Sequence, residues 1–146
     1  MKRMYFLLLL AVMSCAGPEY DTKYYKAISL DKRDTALLKL LTSEGAFYGD
    51  YQINYGDKTQ DHGSITGHVI GDTLLGKFSY LSRDNVKSID PIAFLKTNKN
   101  IKLGSGIAGS FMGFHVYQSG SISFNDSLFQ FQAIALEEFN WKNPTP

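Results

Sequence analysis

The sequence predicts an all-β domain: an antiparallel meander forming a small β-barrel or a two-layer sandwich. Three observations carry this expectation. Apolar and polar residues alternate over several short stretches, the mark of half-buried strands. The chain holds 10 Phe, 9 Tyr and 13 Gly, a mix suited to strands and tight turns. Polar turn clusters separate the apolar stretches at regular spacing, as in small barrels and sandwiches. At 146 residues and 44% hydrophobic, the chain fits one domain and is too apolar for disorder.

The chain begins with the cationic Met1-Lys2-Arg3, followed by an apolar run from Met4 to Met13. Ten helical residues rise only about 15 Å, half the hydrocarbon core of a bilayer. The run therefore reads as the hydrophobic region of a signal peptide rather than a span. Val12-Met13-Ser14-Cys15 resembles the lipobox of bacterial lipoproteins: an aliphatic residue, a tolerant position, a small residue, then Cys. That resemblance implies a signal peptide over residues 1–14, lipidation of Cys15, and Cys15 as the first mature residue. The alternative is an ordinary secretory signal cut after Ala16. Cys15 is the chain's single cysteine, so no disulfide forms within one chain. Several acyl chains on one residue suffice for stable anchoring. Residues 15–23 lack periodicity and read as a tether.

Residues 24–142 read as the single β domain. Tyr24 to Leu30 and Thr35 to Leu41 form two strands around the polar turn Asp31-Lys32-Arg33-Asp34. Leu37, Leu38, Leu40 and Leu41 also fit a helix; the β character downstream favours strand. From Phe47 the alternation places Phe47, Gly49, Tyr51, Ile53 and Tyr55 on one face. Tyr48, Asp50, Gln52 and Asn54 take the other. The loop 56–62 follows.

Gly63 to Ile70 and Thr73 to Ser82 flank Gly71-Asp72, a suitable two-residue hairpin turn. Counting outward pairs Ile70 with Thr73, Val69 with Leu74, Gly67 with Gly76, and Ile65 with Phe78. The last three of these pairs make one apolar face, while His68 with Leu75, Thr66 with Lys77 and Ser64 with Ser79 take the other; a one-residue slip would destroy the sorting. The inward glycine pair either lets the sheet bend, makes room for an aromatic from the opposite wall, or leaves a gap for a ligand. Further strands are expected at Pro91 to Lys96, Ile101 to Ser105, Gly113 to Tyr117, Ser121 to Phe124 and Leu128 to Ile134. Pro91 suits a strand start or an edge. Trp141 could cover an open barrel end or mark a partner surface. Residues 143–146 should fray.

The stretch Gly63-Ser64-Ile65-Thr66-Gly67-His68-Val69-Ile70-Gly71-Asp72-Thr73-Leu74 resembles the Gly-x-Ile/Val-x-Gly-x-Val-x-Gly-Asp-Thr-Leu core of a family of small uncharacterised lipoproteins. That family is common in Bacteroidetes-type Gram-negative bacteria. The resemblance spans roughly residues 47–124, with an aromatic-rich strand before the core and a Phe-Leu strand after it. It departs at Ser82 to Asp90, where such proteins often carry an acidic, serine-rich loop. It implies location and fold, and brings no catalytic residue.

Function classes narrow by chemistry. Fifteen Lys+Arg against fourteen Asp+Glu leave no basic surplus for a nucleic-acid backbone. Removing the signal leaves 13 basic and 14 acidic residues. Gly104-Ser105-Gly106-Ile107-Ala108-Gly109 matches the dinucleotide string Gly-x-Gly-x-x-Gly. That motif works only between a buried parallel strand and a helix, and Phe111 to Tyr117 makes a poor helix. A glycine-rich β-turn fits better, and no cofactor is expected. His62, in the polar loop, and His68 and His115, on strands, lack the close spacing of a metal site. No Gly-x-Ser-x-Gly elbow supplies a nucleophile. The expected protein is not an enzyme. It is a binding or structural module of the cell envelope, membrane-anchored by the lipid on Cys15, periplasmic or surface-exposed. Its partners would be the membrane, a small apolar ligand or an envelope protein. The rival is an envelope hydrolase using loop carboxylates such as Asp57 and Asp61.

Overall fold

The computed structural model describes residues 19–140. The expected signal peptide, Cys15, Trp141 and the tail 143–146 lie outside the described residues. Ten strands form: β1 (Asp21–Ile28), β2 (Thr35–Ser43), β3 (Ala46–Asn54), β4 (Gln60–Ile70), β5 (Thr73–Leu81), β6 (Lys87–Lys96), β7 (Asn100–Leu103), β8 (Ala108–Phe111), β9 (Phe114–Tyr117) and β10 (Gln130–Ile134). Eight of them close a barrel in the order β1-β2-β3-β4-β5-β6-β7-β10, all pairs antiparallel. The strands β8 and β9 pair only with each other and form an arm inserted between β7 and β10. The barrel, not the sandwich, is the architecture, and closure leaves no long free edge around most of the wall.

The expected hairpin register is present. Val69 pairs with Leu74, Gly67 with Gly76, and Ile65 with Phe78. Residues 35–41 belong to a strand, so tertiary pairing overrides the helical propensity of the leucines. Several boundaries differ from expectation. The first strand takes in Asp21–Lys23, assigned above to the tether, because these residues pair with Leu40, Leu41 and Thr42. His62 lies on β4 rather than in a loop. The expected strand at Ser121 to Phe124 shrinks to one bridge, Ser105 with Ser123. The glycine-rich segment supplies β8, which alternation did not reveal.

Eight strands enclose a space that side chains can fill. Here Leu38, Leu40, Phe47, Ile65, Leu74, Phe94 and Phe131 point inward and are buried. Tyr51 sits among them, its ring 4.9 Å from Phe78, 6.0 Å from Phe131 and 6.1 Å from Phe94. The glycine pair finds its explanation in the neighbouring strand. A Cβ at Gly67 would stand 2.6 Å from the Phe47 ring, and one at Gly76 would stand 2.8 Å from it. Phe47 pairs directly with Gly67. The two missing side chains thus house one aromatic of β3, not of the opposite wall, and leave no ligand gap there.

The wall is weakest beside β6. Only Phe94, Leu95 and Lys96 of β6 pair with β7. The stretch Lys87–Pro91 therefore has a free edge, and Pro91, which lacks an N–H, sits on it. The segment after β7 leaves the barrel here, held by Gly104 N–H donating to the Ala93 carbonyl at 2.8 Å.

The two barrel ends differ. One carries the tight turns at 44–45, 71–72 and 97–99 and the start of β1. The other carries the loops 29–34, 55–59 and 82–86 and the 104–129 excursion. The loops repeat one design. In each, the residue three positions along donates back to the first residue's carbonyl: Lys32 to Ser29, Lys58 to Tyr55, Asn85 to Ser82. Each of those donors has positive φ; in the loops 56–58 and 83–85 this is the left-handed position that closes a three-residue hairpin loop, while the loop 30–33 carries one residue more.

Candidate functional site

Two arrangements carry polar chemistry: a tyrosine–aspartate set at the loop end, and a groove on the outer wall.

At the loop end Asp61 accepts a hydrogen bond from the Tyr55 hydroxyl at 2.7 Å and from the Arg83 backbone N–H at 2.7 Å. The Arg83 guanidinium lies 4.8 Å from the Tyr55 ring centroid, a cation–π distance. Burial, then the Asp61 hydrogen bond, hold the Tyr55 hydroxyl far above the ordinary tyrosine range. Nearby, Tyr80 donates to Asp90 at 2.6 Å. Burial and that bond push the Tyr80 pKa up to about 12. Asp90 also lies 3.6 Å from His115 Nδ1, which stands 3.1 Å from the Ile89 carbonyl oxygen. Both carboxylates therefore join loops: Asp61 ties the β3–β4 loop to the β5–β6 loop, and Asp90 ties β5 and the arm to β6. Both tyrosines keep their protons at neutral pH, so neither offers a phenolate nucleophile.

Asp57 is exposed and accepts from the Thr59 N–H at 2.9 Å and from the Thr59 hydroxyl. These bonds lower its pKa, opposite to the shift a general acid at neutral pH requires. Its bonding is that of a turn. His62 and His68 lie six residues apart on one outer face of β4, about 20 Å along a strand. His115 lies on β9. Among the described residues no cluster of three His, Cys, Asp or Glu is placed to hold a metal ion. The Gly104–Gly109 string runs from β7 into β8 of the antiparallel arm, without the parallel strand and helix that its dinucleotide reading requires.

The interior holds one unresolved demand. Among the described residues the Tyr51 hydroxyl is buried without a hydrogen-bond partner; on the outer wall the same holds for Oε1 of Gln52. Gln52 was expected on the solvated face. It is instead buried on the outer wall, donating to Asn54 and to Gln60 at 3.2 Å.

The outer wall supplies the larger feature. A groove of about 980 Å³ runs between the outward faces of β4, β5 and β6 and the arm strand β9. Its apolar lining comes from Leu75, Ile89 and Pro91 on the outer face of the barrel and from Phe114, Val116 and Ile122 of the excursion. Polar groups stand at intervals around it: Tyr48, Thr66, His68, Lys77, Lys87 and Asp90. A concave, mostly apolar surface with a few polar groups is the usual form of a binding site, and this volume lies at the upper end of the ~300–1,000 Å³ range. Of the outer-face residues of β3, the groove takes in Tyr48, but not Asp50, Gln52 or Asn54. Sequence reasoning missed its arm side. One signal was available: no Asp, Glu, Lys or Arg occurs between Lys102 and Asp126, although 20% of the chain is charged. No protein family, curated protein or solved structure matches this chain.

Proposed function

We propose that the chain is a lipid-anchored, non-catalytic binding module of the bacterial cell envelope, and that the groove beside β6 is its recognition surface. The groove carries the reading: an apolar floor flanked by an exposed apolar arm has no role in holding the barrel closed. The arm leaves Ile107, Phe111, Met112 and Phe114 exposed, and contiguous exposed apolar surface of this kind marks an interaction site. The packed interior turns the search for a ligand to the outer wall. The bonding of Asp57 and Asp61 within their loops weighs against the hydrolase alternative.

The anchor rests on the lipobox-like Val12-Met13-Ser14-Cys15. Five residues lie between Cys15 and Asp21, so the two are at most about 20 Å apart along extended chain. Since β1 starts at the tight-turn end, this anchor would hold that end toward the bilayer and present the loop end away from it. Membrane retention should be lost in Cys15→Ala, read by fractionation and acyl labelling. For the groove, a photo-crosslinking residue at Leu75 should capture a component in native membranes, while one at Lys26, exposed on the outer face of β1, should not. Equal capture at both positions, or none at Leu75, would overturn the reading. Turnover of an envelope substrate that is lost in Asp61→Ala would replace it with the hydrolase.

A further inference from the structure

We propose that the groove binds an anionic amphiphile: an apolar chain bearing one carboxylate. This deepens the binding reading given above and rests on it. The first argument is charge. Lys77 on β5 and Lys87 on β6 both line the groove and are exposed. Neither takes part in an ion pair among the described residues, whose pairs are Lys23–Asp21, Arg33–Asp31, Lys39–Asp50 and His115–Asp90. Asp90 is the groove's single acidic lining residue. Its carboxylate already accepts from Tyr80 and lies beside His115. Two ammonium groups thus remain without a counter-charge at the rim of an apolar trough.

The second argument is the floor. Leu75, Ile89 and Pro91 of the barrel and Phe114, Val116 and Ile122 of the excursion supply the apolar lining. A ligand carrying only charge would strip water from these groups without replacing it by apolar contact. A ligand without charge would leave both lysines uncompensated. An amphiphile meets both demands, with its chain on the floor and its head at the rim.

The third argument separates a small amphiphile from a peptide. Strand addition requires a free ladder of backbone donors and acceptors. On the open edge of β6, Pro91 has no N–H to give, and His115 already occupies the Ile89 carbonyl. The edge that faces the groove is therefore interrupted at two successive ladder positions and makes a poor peptide template.

The test is calorimetric titration of the full chain carrying Cys15→Ala with octanoate and, separately, with 1-octanol, alongside methyl NMR. Octanoate should bind up to about fivefold more tightly than 1-octanol, the difference that one exposed ion pair makes. Lys77→Ala with Lys87→Ala should bring octanoate down to the affinity of 1-octanol and leave 1-octanol unchanged. These lysines are exposed, so the fold should survive. Leu75→Glu should weaken both ligands, and the Leu75 and Val116 methyl signals should shift on binding. Equal affinity for the two ligands would overturn the inference while leaving a groove that binds apolar molecules. Octanoate binding that survives the double lysine substitution would place the carboxylate elsewhere and also overturn it. Binding of neither ligand would remove the inference; the Leu75 crosslink then decides the wider reading by itself.

Discussion

In the β3–β5 wall each inward apolar side chain meets others inside the barrel, whereas the β8–β9 arm holds its apolar side chains in water. Phe47 and Ile65 have no exposed surface. Phe111, Met112 and Phe114 are 64%, 83% and 65% exposed. The residue types are similar; the difference is closure. The wall strands are paired on both sides, so their inner face is shared with seven other strands. The arm has one pairing partner per strand and no second layer over its outer face. Stability should therefore reside in the wall and recognition in the arm, a division that substitutions can break.

The largest effect should come from Phe47→Ala. Its ring lies on the backbone of Gly67 and Gly76, which have no side chains to fill the space it leaves. The cavity should cost about 3–5 kcal/mol. Urea denaturation measures it, and a loss under about 1.5 kcal/mol would mean that β3, β4 and β5 close together over the void.

That glycine pair also shows what the sequence makes legible. The register Val69–Leu74, Gly67–Gly76, Ile65–Phe78 followed from a two-residue turn and a period of two, both local facts. The occupant of the glycine space did not follow. Phe47 is twenty residues away from Gly67, and which aromatic fills a gap depends on three-dimensional pairing. The groove was harder still. Leu75 and Lys77 read as ordinary solvent-face residues of a strand. They become groove residues only because β7 leaves half of β6 unpaired and the excursion lies beside it. Alternation describes a strand's faces and is silent about a segment that leaves the sheet. Gln52 escaped for a related reason: its burial on the outer wall comes from neighbours such as Asn54 and Gln60 across loop 55–59.

The second effect concerns alkali. Tyr51 is fully buried, and desolvation raises its pKa far above that of the unfolded chain. An acid whose folded pKa is raised binds more protons in the folded state above about pH 10, so its stabilisation is present below that pH and lost as pH rises. The slope should be about −1.4 kcal/mol per pH unit for this one group. Tyr55 and Tyr80 add to it in the same direction, less strongly because they are partly exposed. Tyr51→Phe should reduce the slope by one such increment. At neutral pH the same change should stabilise the wall by about 1 kcal/mol, because it removes a buried hydroxyl with no partner. A loss of stability instead would reveal a hydrogen bond made by that hydroxyl.

A smaller gain should come from the loop end. Lys58 has φ of 69°, a conformation that costs an L-residue about 1 kcal/mol or more. Lys58→Gly removes that strain but adds freedom to the unfolded chain. The net should be about 0.5 kcal/mol of added stability, seen as a raised Tm. A lowered Tm would mean that the Lys58 side chain holds the loop more than its backbone strains it.

The smallest effect on stability is expected from Phe114→Ser, and it is the sharpest test of the division between wall and arm. Phe114 is among the largest side chains of the arm and points into the groove, yet most of its surface is in water. Serine gives up little buried area, and its hydroxyl meets solvent. Surface changes of this kind stay within about 0.5 kcal/mol. The arm is held to the barrel by other contacts: His115 to Ile89 and Asp90, and the Gly104 N–H to the Ala93 carbonyl. The Tm should therefore hold while crosslinking from Leu75 and octanoate binding both weaken. A loss above about 2 kcal/mol would show that the arm belongs to the core, and that its exposed aromatics serve the fold before they serve a partner.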